Sequence, residues 1–260
     1  EGFSTQQRSV QEFTQMLTDC PVHRARPSLL YVSDNINYVS GVQRVTATQV
    51  QALRRNFAIT VFSMEVPDER SRRLFAGVPI VDMQTCCGVT CLAIPCRDVL
   101  LHRGFTMRQK AVRLAYGVMR KLGKEAWAIE KLSNQKMKDF FEGFDTVCVL
   151  SEASQMRDFV SKLSHPKKVQ WIHTDYALWS EYSDWTRQIT ANDGERYRHY
   201  DRVVCLTETS RQGFLQKHPE LSEKTIVVAN LQPVEEILKK AQAPLEGVSL
   251  DKNVTNIVSV

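Results

Sequence analysis

The sequence predicts an α/β fold, a doubly wound and mainly parallel sheet, and three observations predict it. Strand-like runs recur along the 260 residues, at 28–33, 58–64, 78–83, 89–94, 146–150, 169–173, 202–206 and 225–229. Most of them are continuously apolar rather than alternating, the pattern of strands covered on both faces. Helical stretches lie between many of them, at 42–55, 108–121, 123–141, 154–163 and 210–217. Alternating β and α elements predict a parallel sheet with helices on both sides.

Taken in order, residues 1–27 read as an extension, with a short helix over 6–20 and a connector over 21–27. The sheet domain runs from 28 to 230. Its first strand, SLLYVS, leads through Asp34–Ser40 to Gly41 and a helix. The stretch 78–95 departs from the alternation, with strand-like pieces and no helix between them, and reads as a hairpin or an irregular edge. Residues 231–253 read as an interdomain linker, polar and turn-rich from Pro244 to Asn253. The β-branched run Val254–Val260 is expected to open a second domain that the chain does not complete.

With 43% hydrophobic residues the chain can bury one large α/β core. Composition excludes disorder, collagen and coiled coil. No apolar run approaches the roughly 20 residues of a membrane span. The opening EGFSTQQRSV has no basic stretch followed by an apolar one, so it does not read as a signal peptide. A net charge of only +5, with no reading motif, argues against nucleic acid as a partner. G-x-G-x-x-G, the Walker lysine, G-x-S-x-G, H-E-x-x-H and the EF-hand loop are all missing.

Of the seven cysteines, Cys86, Cys87, Cys91 and Cys96 cluster. Their C-C-x3-C-x4-C spacing, with no nearby His before His102, does not match the paired spacing of zinc sites, so no metal is expected. Small buried thiols are the simpler reading, although a metal or redox module stays as a third alternative. Cys148 and Cys205 lie in strand-like runs as free thiols, which suits a reducing cytosol.

Four stretches can carry chemistry. At the turn after the first strand, Gly41 lets backbone approach a ligand, and the helix N-terminus favours a diphosphate. An ordinary loop with Ser40 as helix cap fits equally well. Arg44, one turn on, either adds positive charge or is solvated. The run WIHTDY delivers His173 and Asp175 to the end of a strand, where they can do acid–base work or hold a sugar hydroxyl. A satisfied structural His is the alternative. Trp179, Tyr182 and Trp185 follow, as a sugar-binding surface or as packing. Thr207 and Glu208 open the helix after Leu206, as caps or as contacts to a cleft. Finally, Arg103–Lys124 contains Arg108, Lys110, Arg113, Arg120, Lys121 and Lys124 and no acidic residue. This basic amphipathic stretch fits an anionic membrane surface, or a solvated helix packed by its other side.

Two segments carry a resemblance. Tyr200–Glu208, Thr225–Asn230 and Pro233 follow in the order of the hinge-side end of the N-terminal domain in glycosyltransferases of family 4, which have the GT-B fold. The usual Asn-Pro pair is split here as Asn230-Leu231-Gln232-Pro233. Ser28–Leu53 is similar to that family's first strand, glycine turn and first helix, with Ser40-Gly41-Val42-Gln43-Arg44 where two glycines are common. The resemblance implies a Rossmann-like acceptor-side domain of a retaining enzyme. Such an enzyme moves a sugar from a nucleotide diphosphate sugar to a sugar, lipid-linked or polymer acceptor, with no cofactor or catalytic metal. It implies His173 against the donor sugar, Asp175 as a lesser partner, and Ser40, Gly41, Arg44, Thr207 and Glu208 near substrate. The family's E-x7-E carboxylates would belong to a second domain, leaving this half alone nearly inactive. A cytoplasmic enzyme of cell-surface polysaccharide or glycolipid synthesis, in peripheral contact with the inner face of a membrane, follows from the resemblance and the basic stretch. The competing class is a non-catalytic α/β binding or scaffold module.

Overall fold

The computed structural model describes residues 26–38, 40–87, 95–101, 103–124, 134–243 and 255. The strands are β1 (Ser28–Ser33), β2 (Ala58–Ser63), β3 (Ile80–Asp82), β4 (Thr146–Val149), β5 (Lys167–Ile172), β6 (Arg202–Cys205) and β7 (Thr225–Val227). They form one sheet in the order β3-β2-β1-β4-β5-β6-β7, and every neighbouring pair is parallel. The helices are α1 (Gly41–Leu53), α2 (Glu69–Leu74), α3 (Met83–Cys87), α4 (Cys96–Leu101), α5 (Met107–Lys121) and α6 (Arg157–Ser161). After them come α7 (Tyr176–Glu181), α8 (Asp184–Thr190), α9 (Asp193–Arg198), α10 (Glu208–Lys217) and α11 (Val234–Ala241). A further helical stretch covers 134–141. The Rossmann-like α/β class is therefore as the sequence predicts.

Two-sided burial explains the continuous apolar runs. Every residue of β1 and β4 is buried. Successive strand side chains point to opposite faces, so each strand feeds two cores. Leu30, Val32, Val147, Val149, Val203 and Cys205 pack with Phe141, Tyr197 and Phe214 on one face. Leu29, Tyr31, Cys148, Trp171 and Val204 pack with Val50 and Leu53 of α1 on the other. Burying each large apolar side chain contributes about 1.5–3 kcal/mol. The amino ends of β1 and β4 are pinned together, because the Ser28 amide and hydroxyl both donate to Asp145 Oδ2 at 2.7 Å.

Beneath one face a buried polar cluster joins three helices. Arg157 of α6 donates through Nη1 to Asp193 of α9 at 2.8 and 2.9 Å, and to the Tyr197 hydroxyl at 3.1 Å. Tyr176 of α7 donates to Asp193 Oδ2 at 2.6 Å, and Arg196 also pairs with Asp193. Both Arg157 and Asp193 are buried, so each charge depends on the other for its solvation.

The structure corrects several boundaries. The stretch expected as a hairpin or irregular edge contributes a parallel edge strand, Ile80–Asp82 against β2, and then turns into α3. Gly123 does not open a helix; it lies at φ +70°, past the end of α5, in a conformation that suits glycine. Over 154–163 only Arg157–Ser161 is α-helical, because Ser151 and Ser154 hold local turns through hydrogen bonds from Ala153 N and Met156 N. The expected strand 89–94, the expected strand 254–260 apart from residue 255, the helix over 6–20 and the joint over 244–253 lie outside the described residues, as does Cys91.

Cys148 and Cys205 are buried free thiols, as expected from their strands. Burial pushes both up, Cys205 to about 12. Cys86 and Cys87 end α3 and Cys96 begins α4. Among the described residues no group of three or more His, Cys, Asp or Glu side chains could hold a metal ion.

Candidate functional site

In an open parallel sheet the crevice for ligands lies outside the carboxyl ends of the strands where the winding direction reverses. Here that point falls between β1 and β4. β1 runs out at Ser33, and the chain turns through Asn35, whose Oδ1 accepts from Asn37 N at 2.7 Å and Tyr38 N at 3.3 Å. Asn37 then accepts from Asp68 N at 2.8 Å and donates to Val66 O at 2.9 Å, tying this loop to the one after β2. Ser40 caps α1 with a full capping box, its hydroxyl accepting from Val42 N while Gln43 Oε1 accepts from Ser40 N. Gln43 Nε2 donates to Asn35 O at 2.9 Å, so the turn is held before any ligand arrives.

Across the reversal, Asp34 receives the loop after β4: it accepts from Ser154 Oγ at 2.5 Å and from Gln155 N at 2.8 Å. Between these loops lies a cleft of about 210 Å³, bordered by Ser33, Asp34, Ser40, Gln43, Ser151 and Ser154. Its border mixes hydroxyl and amide groups with the apolar Val32, Val42, Leu150 and Ala153, and its one carboxylate, Asp34, is already engaged. Gly41 sits exposed beside it at ordinary φ, and a Cβ there would meet nothing within 4 Å. The fold itself therefore does not require glycine at this position.

The next strand end is tied to β4 by Glu152. This buried carboxylate accepts from His173 N at 3.2 Å and Thr174 N at 3.0 Å. The His173 ring stacks on Trp171, centroids 5.9 Å apart. Among the described residues its Nε2 is buried without a partner, as is the Thr174 hydroxyl. Burial holds the imidazole below its usual pKa, opposed by the Glu152 charge and by the Leu150 backbone. The result is a neutral, positioned imidazole with one buried nitrogen left unpaired among the described residues.

The other sequence candidates have different places. Asp175 is the N-cap of α7, accepting from Leu178 N at 3.3 Å, and the carboxylate acting on His173 is Glu152 instead. Thr207 caps α10 through Ser210 N, and Glu208 pairs with Arg211 at 3.0 Å. That helix start does reach the β5 loop, since Ser210 Oγ donates to Thr174 O at 3.4 Å. Arg44 does not border the reversal cleft. It lines a broader concavity of about 840 Å³ with Arg70, Arg73, Glu236 and Lys240, between α1, α2 and α11. Asp34, Glu152 and Ser154 escape a sequence reading; the available signal is that Asp34 directly follows the buried β1 and that the other two lie in the loop after the buried β4.

The basic stretch forms α5, opened by a capping box of Thr106 and Gln109. It buries only Tyr116, over whose ring Arg113 lies at 5.6 Å. Met107, Leu114 and Val118 are exposed along one face, with Leu122 continuing the line, and Arg108, Arg120, Lys121 and Lys124 are exposed as well. The expectation of a helix packing its apolar side on the sheet is therefore not met by this face. No helix of the described residues is long and apolar enough to cross a membrane.

No protein-family model matches the sequence, and no curated protein matches it. Solved structures similar to this chain include Anabaena Alr3699/HepE in complex with UDP-glucose, at 11% identity and a TM-score of 0.49, covering 83% of this chain and 49% of that one. Phytolacca americana UGT2, complexed with UDP-2fluoro-glucose and pterostilbene, is 10% identical with a TM-score of 0.43, covering 84% and 57%. TcCGT1 in complex with UDP is 11% identical with a TM-score of 0.42, covering 83% and 55%. The chain thus spans about half the length of these structures. At such identities and scores the fold assignment rests on the seven parallel strands themselves and not on the likeness.

Proposed function

We propose that this chain is the acceptor-side domain of a retaining GT-B glycosyltransferase, resembling family 4, that moves a hexose from a nucleotide diphosphate sugar to an acceptor hydroxyl. The observation that carries the reading is the strand end at His173. A neutral imidazole, stacked on Trp171, keeps a buried Nε2 without a partner among the described residues, one strand along from the reversal of the sheet. Such a nitrogen can hold a sugar hydroxyl, and Glu152 positions it without touching substrate. Gly41 adds support, because the fold leaves space there for a ligand to approach α1. A donor-binding half would supply the cationic groups for the leaving diphosphate. Alone, this half would be nearly inactive. The exposed apolar line of α5, flanked by basic residues, supports peripheral contact with the anionic inner face of a membrane, as synthesis of a glycolipid or cell-surface polysaccharide requires.

The test is nucleoside diphosphate release by the complete gene product, across a panel of nucleotide sugars and glycosyl acceptors. His173→Ala is expected to lower transfer by about 10²-fold or more, as loss of one positioned polar group does elsewhere, at unchanged folding. Glu152→Gln should lower it less and also reduce stability. No release with any donor, or release indifferent to His173→Ala, turns the assignment to a non-catalytic binding module.

A further inference from the structure

The loop region after β5 builds a second concavity that the His173 site does not use. It measures about 490 Å³ and is lined by Thr174, Leu178, Trp179, Tyr182 and Trp185 among others. That volume lies within the roughly 300–1,000 Å³ usual for small-ligand sites. Tyr182 is 84% exposed and Trp185 55% exposed, a costly way to display two aromatic rings unless something covers them. The rings are not loose. Trp179 packs between Tyr176 and Trp185, with centroid separations of 6.2 and 6.4 Å. Ser183 fixes the junction of α7 and α8 with a capping box. At the inner wall stands Thr174, whose buried hydroxyl has no partner among the described residues.

Charge decides what fits. One carboxylate, Asp175, lines the concavity and is engaged by the first turn of α7, while Glu181 and Asp184 stand nearby, paired to Lys217 and Arg187. Among the described residues no unpaired cation lines this concavity, so they do not form the basic groove that single-stranded nucleic acid needs beside stacked aromatics. Nor do they supply the basic groups that draw a surface to anionic lipid. Aromatic faces with a hydroxyl at the base suit a ligand that is uncharged, has an apolar C–H face and carries hydroxyls at its edge. A pyranose ring has that chemistry: its axial C–H groups stack on the electron-rich ring face, and its equatorial hydroxyls reach the wall.

We infer that Trp185 and Tyr182 form a stacking platform for a neutral saccharide, with the Thr174 hydroxyl as its polar anchor. Thr174 is the residue after His173, so the platform starts where the β5 strand end leaves off, although the imidazole itself does not line it. This rests on the transferase reading for its role as acceptor subsite, while the binding itself does not.

The experiment is saturation-transfer difference NMR on this chain with the methyl α- and β-glycosides of glucose, galactose and mannose. Transfer should concentrate on one ring face of the preferred glycoside. Trp185→Ala should weaken binding about tenfold, the scale of one aromatic contact, and Trp185→Phe should retain it. Because Trp185 is half exposed, the melting temperature should hold in both variants. No transfer to any glycoside overturns the platform, as does transfer unchanged by Trp185→Ala. So does a tryptophan emission shift produced by phosphatidylglycerol vesicles and by none of the glycosides. Sugar transfer by the complete gene product that is indifferent to Trp185→Ala sinks the acceptor role of the platform and leaves the transferase reading standing. Glycoside binding that needs Trp185, without transfer, does the reverse.

Discussion

Asp34 accepts a hydrogen bond from the Ser154 hydroxyl at 2.5 Å, across 120 residues of sequence. The contact joins the loops that leave β1 and β4, where the strand order reverses, and so sets the width of the cleft between them. A hydrogen bond to a charged group contributes about 1.5–3 kcal/mol. Asp34→Ala and Ser154→Ala should each destabilise by about that much. The double variant should lose less than the sum, with a coupling of at least about 0.5 kcal/mol. Additive losses in urea unfolding would show that the two loops do not depend on each other.

Ser40 and Gly41 should behave oppositely. Ser40→Ala removes the capping box of α1 and should cost about 0.5–2 kcal/mol. Gly41→Ala meets open space at ordinary φ, so it should be neutral or stabilise by about 0.4–1 kcal/mol through the unfolded chain. A ligand approaching the backbone there would be obstructed all the same. Higher thermal stability together with weaker donor turnover is the expected pair of results. Higher stability with full turnover would remove Gly41 from the site.

His173 and His218 are both held below the ordinary histidine pKa, chiefly by burial. An unfolded histidine takes up its proton as pH falls through about 6.5. The folded ones do so only lower, so between those values the unfolded state binds more protons and stability falls as pH falls. Urea midpoints should therefore decline below about pH 6.5. The double variant His173→Gln, His218→Gln should decline less steeply. Parallel slopes for the two proteins would show that these histidines do not carry the effect.

The buried pair of Arg157 and Asp193 should be more costly to break than to replace. Arg157→Met leaves the Asp193 carboxylate buried among Tyr176, Tyr197 and Arg196 and should cost about 3–5 kcal/mol. Arg157→Met with Asp193→Leu should cost clearly less, since no uncompensated charge remains. Equal losses in the two variants would mean that Arg196, which also pairs with Asp193, already compensates that charge.

Much of the sheet was legible because a two-sided strand leaves a plain trace. Ser28–Ser33 matches its expected bounds, and the runs around Val147 and Val203 lose only an end residue. The helices α7, α8 and α9 between β5 and β6 left no such trace. They are 6, 7 and 6 residues long and begin at side-chain caps or turns rather than at an apolar periodicity. Asp175 shows the consequence for the site. Next to a histidine it reads as an acid–base partner, yet its carboxylate is engaged by the first turn of α7. Glu152 was invisible for the converse reason, because it lies 21 residues before His173 and meets it only through parallel pairing of β4 with β5.

The amino-acid sequence by itself determined which segments become strands. A run of apolar, β-branched residues can bury both faces and satisfy its backbone only inside a sheet. It likewise determined the capped start of α1 and the basic character of α5, which are local matters. Tertiary structure alone decided the strand order, and with it that Asp34 meets Ser154, that Glu152 carries His173, and that Arg44 turns towards α11 instead of the cleft. Strand order is a choice among non-local pairings of chemically similar edges. Those energies belong to residues distant in the chain, so no stretch of sequence contains them.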